Sequence, residues 1–356
     1  MKLSTLLLSS AAVLVAGAAF AADLPAKKAA PAAATGCTAF GAGFFQIPGG
    51  DTCIKFSGRV TADQTLSDPK GDRSAALNSF GAGFRLNVDA RSNTEAGVVR
   101  AYGRVSGSGG DAVGVNYSYL QIGGFTAGHT DTAFATLNNP WGWEIATDDG
   151  KVTNALQYTA SLGGSSSVTV ALEDATARTT SGMGASQVPD VVGQFKTTMG
   201  GNTIQLAAAS HQNHGLVSGD VQGYAFQAAA TIAASKETTI YLQAAYANAA
   251  LSYLGTSPAA IHDADTNDVS ATAKGWSAFG AVSQAMGAGS IQLNGVYSQL
   301  TATDSTDVKI SQLELNYDYT GIKGVQIIPA VYVSSVSTGG DTLDSTVGFL
   351  RIERDF

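Results

Sequence analysis

Residues 80–91 read FGAGFRLNVDAR. On a two-residue repeat, Phe80, Ala82, Phe84, Leu86, Val88 and Ala90 share one face, while Arg85, Asn87, Asp89 and Arg91 share the other. One face suits hydrocarbon and the other suits water. The same split sets Ile54, Phe56, Val60 and Ala62 against Lys55, Ser57, Arg59 and Thr61, and Ile240, Leu242, Ala244 and Tyr246 against Tyr241 and Gln243. It returns with Leu313, Leu315, Tyr317 and Tyr319 opposite Gln312, Glu314, Asn316 and Asp318. Repeated amphipathic segments of about ten residues are the pattern of strands that cross a membrane.

A soluble sandwich alternates too, so the connections have to decide. Long breaks fall near 64–78, 106–112, 132–151, 174–188, 213–221, 248–273, 301–306 and 334–345, and they alternate with short ones near Asn93, Gly124, Gly163, Gly201, Ser235, Gly287 and Gly321. Alternating long and short connections belong to a transmembrane antiparallel β-barrel, here of about 16 strands with both chain ends on one side. A barrel of that width leaves an aqueous channel, whereas about eight strands would fill with side chains. The all-β reading therefore implies passage of small hydrophilic solutes and ions.

Lys2 precedes an apolar run over 6–21 that is too short to span a bilayer and ends in small residues, so 1–22 reads as a secretory leader. Cys37 lies too far from the cleavage site for lipidation. Residues 23–36, DLPAKKAAPAAATG, hold nothing large to bury and read as a flexible periplasmic extension, leaving 37–356 for the barrel. With the leader removed, 19 basic side chains face 28 acidic ones, which argues against a nucleic-acid partner. An exported barrel of this kind belongs in the bacterial outer membrane, in contact with its lipid.

Two cysteines in an exported chain, Cys37 and Cys53, suggest one disulfide across a loop of about 17 residues, worth on the order of 3 kcal/mol. The competing reading, a reactive or metal-binding pair, has no neighbouring histidine. Outward Tyr224, Phe226, Tyr246, Trp276 and Tyr297 near the long breaks, with Tyr319 and Phe356 near the opposite ends, read as interfacial girdles. Pro329 fits poorly inside an interior strand over 325–333, and a bulge is the expected repair.

Several blocks carry a family resemblance. GCTAFGAGFFQIPGGDTCIKFSGRV (36–60) and VPDVVGQFK (188–196) resemble the porins of alphaproteobacteria, whose mature chains similarly begin ADLP and carry two cysteines around an aromatic, Gly-rich segment. That resemblance implies a Cys37–Cys53 disulfide, a first strand from Cys53, and a sixteen-stranded homotrimeric pore for general diffusion. The Ala/Pro-rich stretch before Cys37 departs from the family. The closing STVGFLRIERDF resembles the assembly signal of outer-membrane barrels, with Phe356 as its terminal aromatic.

GGFTAGHTDTAF (123–134) leads into the third long break as in trimeric porins, where that loop folds into the lumen. The resemblance then sets an acidic constriction of Glu144, Asp148 and Asp149 against a basic wall of Lys55, Arg59, Arg85, Arg91, Arg100 and Arg104. Opposed charges make a transverse field that sorts solutes without holding any one tightly. No cofactor or metal is expected. Catalysis is not expected either: His129, His211, His214 and His262 lie in or near breaks, and His211 and His214 would point to opposite faces of a strand. A structural or adhesive barrel with a plugged lumen is the alternative, and conductance separates the two.

Overall fold

The computed structural model describes residues 37–69, 77–135, 152–179, 185–215, 219–254, 272–301 and 307–356. A two-residue strand, β1 (Phe45–Gln46), precedes sixteen longer ones. These are β2 (Cys53–Pro69), β3 (Asn78–Thr94), β4 (Gly97–Ser108), β5 (Gly114–Ile122), β6 (Phe125–Asp131), β7 (Val152–Gly163), β8 (Ser166–Glu173) and β9 (Asp190–Met199). Then follow β10 (Asn202–Gly215), β11 (Gly219–Ala233), β12 (Thr238–Asn248), β13 (Lys274–Met286), β14 (Gly289–Thr301), β15 (Asp307–Ile322), β16 (Val325–Thr338) and β17 (Asp341–Asp355).

Each long strand pairs antiparallel with the next, and β17 returns to β2. Closure leaves no open edge in hydrocarbon, the condition for a sheet to span a membrane. At the seam Gly58 donates to the Phe356 carbonyl at 2.9 Å, and the Phe356 amide donates back to Gly58 at 3.0 Å. The Phe356 ring occupies the space that a side chain at position 58 would need. The Gly58 in GCTAFGAGFFQIPGGDTCIKFSGRV and the terminal aromatic are thus two halves of one joint.

The alternation reads as expected. Phe80, Phe84, Leu206, Phe226, Leu313 and Leu315 stand exposed on the outside, while their neighbours Gln205, Gln227, Glu314 and Asn316 are buried within. Rings join the outward aromatics of β11 to β14 into a belt: Tyr224 to Phe226 at 5.6 Å, Tyr224 to Tyr246 at 6.3 Å, Trp276 to Tyr297 at 5.4 Å.

Strand number follows the sequence reading, but the rim does not. The expected long break at 334–345 closes to a Gly339–Gly340 hairpin with φ of +58° and +105°. Two left-handed residues match the strand twist there, and a paired Gly-Gly supplies them without steric cost. The strands run on through residues whose polarity suggested a loop, because on a tall rim both faces meet water. β2 and β3 span 17 residues each, whereas β5, β6 and β8 span 9, 7 and 8, so the wall is high on one side and low on the other.

Pro329 lies on the outward face. Its pairing with Leu350 of β17 stays in register, but towards β15 the Cα partners lapse between Asn316–Ala330 and Tyr319–Ile327, and the register shifts before Ile322–Val325. The ladder tolerates the missing N–H by this lapse, with the irregularity displaced several residues from the proline.

Cys37 and Cys53 form a disulfide with Cα atoms 6.0 Å apart. β1 then pairs with the start of β2, Phe45 opposite Ile54 and Gln46 opposite Cys53, continuing the wall where β17 ends.

The lumen wall and its polar hub

Six bases from β2, β3 and β4 share the inward face. Lys55 lies opposite Asp89, Arg59 opposite Arg85, and Arg91 opposite Arg100, with Arg104 opposite Asn87. Their charges are not equally free. Arg59 donates to Asp355 at 2.7 Å and 3.0 Å and to Glu353 at 3.1 Å. Arg91 and Arg100 grip the same carboxylate, Asp89, at 2.7 Å and 2.9 Å. A further pair, Arg351 with Asp63 at 2.7 Å, joins β17 to β2.

Arg85 and Arg104 differ. Among the described residues, no carboxylate comes within ion-pair distance of either. Arg104 donates to neutral acceptors, Asn87 Oδ1 at 2.8 Å and the Tyr102 hydroxyl at 3.1 Å, and lies 4.4 Å from the Tyr117 ring centroid. Arg100 likewise stacks on Tyr102 and Tyr119, at 4.9 Å and 5.4 Å. Flat cations against aromatic faces are held in place without losing their charge.

The opposite wall is covered. After β6 the chain turns inward: the Ala133 and Phe134 carbonyls accept from Gln194 at 2.6 Å and Gln227 at 3.0 Å, and Gln205 donates to Ala135. Small inward residues, Ala171, Val192, Ala207, Ala225, Ala245 and Ala247, make the floor on which Phe134 and the turn Leu251–Leu254 pack.

At this junction lies a dry polar hub. Glu173, at the end of β8, accepts from the Thr132 hydroxyl and the Ala133 amide, both at 2.7 Å. Arg178, from the turn Ala175–Arg178, lies 3.5 Å from Glu173 and 3.6 Å from Asp190, with its guanidinium 3.5 Å from the Tyr253 ring centroid. Asp190 accepts from the Tyr253 hydroxyl at 2.7 Å and meets His211 Nδ1 at 2.8 Å. Side chains here are about 1 % exposed, against 24–28 % for Arg59, Arg91 and Arg100, so water reaches the basic wall and not the hub. Burial pushes the Tyr253 phenol well above its ordinary range. The Asp174 carboxyl, which caps the Ala175–Arg178 turn, is held low by its bonds from Thr176.

Both nitrogens of His211 are engaged, Nε2 with Asn213 at 3.0 Å, and the ring is 2 % exposed. His214 lies on the other face against Asp220. His129 bonds Asn154 on the outer surface. None of these three sits beside a nucleophile in an open cleft. Glu144, Asp148, Asp149 and His262 lie outside the described residues.

Sequence reasoning missed Glu173, Arg178, Asp190, His211 and Tyr253 as a unit. Each comes from a different strand end or loop, and the only local cue is charge in segments otherwise rich in alanine.

The chain matches the model of the Porin subfamily over residues 25–342. It is 29% identical over 290 residues to porin Omp2b of Brucella canis, covering 70% of this chain and 75% of that protein. The outer membrane channel DcaP of Acinetobacter baumannii superposes with a TM-score of 0.74 at 15% identity, over 86% of this chain and 97% of that one. A trimer form of OmpT, an outer membrane protein of Vibrio cholerae, superposes with a TM-score of 0.60 at 10% identity, over 86% and 100%.

Proposed function

The chain belongs to the Porin subfamily, an integral outer-membrane porin whose channel passes small hydrophilic solutes by diffusion, and from that premise we propose that its aqueous path runs along β2–β5. The observation that carries this is the contrast in exposure. Inward Arg59, Arg91 and Arg100 are about a quarter exposed and Arg85 and Arg104 are half-buried, whereas the wall from β8 to β12 is sealed by Phe134, Tyr253 and the hub. Solutes therefore pass over Arg85, Arg104 and the tyrosines of β4 and β5, with the ion pairs Arg59–Asp355, Arg100–Asp89 and Arg351–Asp63 fixing the wall's shape.

In this reading the third long loop, anchored inside by Thr132–Ala135 and carrying Glu144, Asp148 and Asp149, supplies the acidic side of the constriction against Lys55, Arg59, Arg85, Arg91, Arg100 and Arg104. Residues 1–22 are the leader and 23–36 a periplasmic extension. The channel has no enzymatic role, and lipid and solutes are its small-molecule partners. Liposome swelling with neutral sugars of increasing size tests the diffusion reading: rates should fall smoothly with size, and equal rates for liposomes with and without protein would refute it.

The assembly is a homotrimer, with β5–β7 facing the neighbouring copy. Where β5, β6 and β7 lie side by side, two apolar rows, Ile122, Phe125 and Tyr158 and then Leu120, Ala127 and Leu156, stand below a polar row of Ser118, His129 and Asn154, with exposed Val115 and Leu162 beyond the three-strand rows. Two rows cover about 13 Å of strand, roughly half the apolar band a lipid-facing barrel wall shows. Protein can satisfy that polar row, which lipid tails cannot. Asn154→Cys should cross-link between copies under oxidation while Leu206→Cys stays monomeric on a denaturing gel; the reverse pattern would move the interface.

A further inference from the structure

Along the basic wall, Arg59, Arg85 and Arg104 form a diagonal across three strands: Arg59 pairs in register with Arg85, and Arg85 sits two residues from the position opposite Arg104. Adjacent like charges on a sheet face are unfavourable unless something compensates them. Arg59 is compensated by Glu353 and Asp355. Arg85 stands between it and Arg104 with no carboxylate of its own among the described residues.

Beside Arg85 a cavity of about 450 Å³ opens, lined by Arg59, Arg85, Arg351, Thr61, Ser106 and Ser108. Asp111 also lines it, and among the described residues no ion pair joins Asp111 to these bases. The lining offers guanidinium and hydroxyl donors, the set that recognises a planar or tetrahedral oxyanion through paired charge-assisted bonds.

We infer that Arg85, with the Thr61 and Ser108 hydroxyls in the same cavity and Arg104 diagonally beside it on β4, forms a binding station in the lumen for small oxyanions, solutes carrying a carboxylate or a phosphate. This rests on the proposed path along β2–β5 and names the solute class that the path favours. The wall's three other arginines are tied to carboxylates built into the barrel, Arg59 to Glu353 and Asp355, and Arg91 and Arg100 together to Asp89. Binding is transient: the station is one-sided and open to water, so an anion gains local concentration without being trapped.

The test is competitive block in planar bilayers with the full mature chain. Chloride current through single channels is recorded while inorganic phosphate or acetate is added at constant ionic strength. The expected result is a saturable fall in chloride current for wild type. Arg85→Gln and Arg104→Gln should each raise the half-blocking concentration about tenfold, the loss of one charge-assisted contact, and Lys236→Gln, in the exposed turn between β11 and β12, should leave it within twofold. Arg85→Lys, which keeps charge and loses the fork, should fall between. Block by phosphate alone assigns the station to phosphate-bearing solutes, and block by both assigns it to oxyanions generally. Unblocked chloride current in wild type, or equal block in Arg85→Gln, overturns the station while leaving the pore reading intact. Bilayers that stay silent overturn the pore reading and the station with it.

Discussion

Replacing Glu173 with alanine should release the start of the third loop from the barrel wall. The Glu173 carboxylate accepts the Ala133 amide and the Thr132 hydroxyl at 2.7 Å each, and it lies 3.5 Å from Arg178. Its removal leaves a buried backbone N–H unsatisfied, at a cost of about 1–3 kcal/mol. Breaking a buried ion pair costs about 3–5 kcal/mol, but Arg178 keeps Asp190 at 3.6 Å, so the lower end applies. The Arg178 bond to the Thr132 hydroxyl at 2.9 Å also survives. A net weakening of about 3 kcal/mol corresponds to roughly a hundredfold rise in the detached population. Hydrogen exchange of the Ala133, Phe134 and Ala135 amides in detergent-solubilised protein reads this directly: they should exchange about a hundredfold faster while amides of β13–β15 stay unchanged. Open-channel recordings should show more frequent brief closures. Unchanged exchange at Ala133 would refute the assignment of Glu173 as the anchor, and uniform acceleration across the barrel would show a global effect instead.

Neutralising the two arginines that no carboxylate pairs among the described residues should shift selectivity: Arg85→Gln or Arg104→Gln should cut the anion-to-cation permeability ratio, read from reversal potentials in a salt gradient, about sevenfold, since a unit charge ~7 Å away in water is worth about 0.6 kcal/mol to an anion and as much with opposite sign to a cation. Reduction or double serine substitution of Cys37 and Cys53, separated by 16 residues, should lower unfolding stability by about 3 kcal/mol in urea titrations of the detergent-solubilised barrel. Gly58→Val should displace the Phe356 ring and slow assembly, seen as a smaller heat-modifiable fraction on gels after refolding. Tyr253 is raised above its unfolded value, so its contribution is present below about pH 10 and lost as pH rises beyond it; Tyr253→Phe should flatten the alkaline fall in stability.

The barrel was legible because its two solvents impose a period of two on every strand. That period exposed Phe80 and Phe84 on one face and Arg85 and Asn87 on the other, whatever their partners, and the loop boundaries at 248–273 and 301–306 coincide with the ends of β12 to β15. The rim at Gly339–Gly340 was not legible, because a strand with water on both sides has no apolar face to mark it. The basic wall could be named from alternation alone. Which of its charges are free could not, because Asp89, Glu353 and Asp355 neutralise Arg91, Arg100 and Arg59 through strand registers, and the Arg59 pair spans nearly the whole chain. The hub is harder still: Arg178 and Tyr253 meet only after two loops fold inward, and neither has a periodic pattern to announce it.

Single-channel recording of the purified mature protein in planar bilayers tests the central claim most directly. A water-filled lumen open along β2–β5 predicts large, ohmic, weakly selective steps that persist across voltage. Repeated insertion of folded barrels without any step would contradict it and favour a sealed, structural barrel.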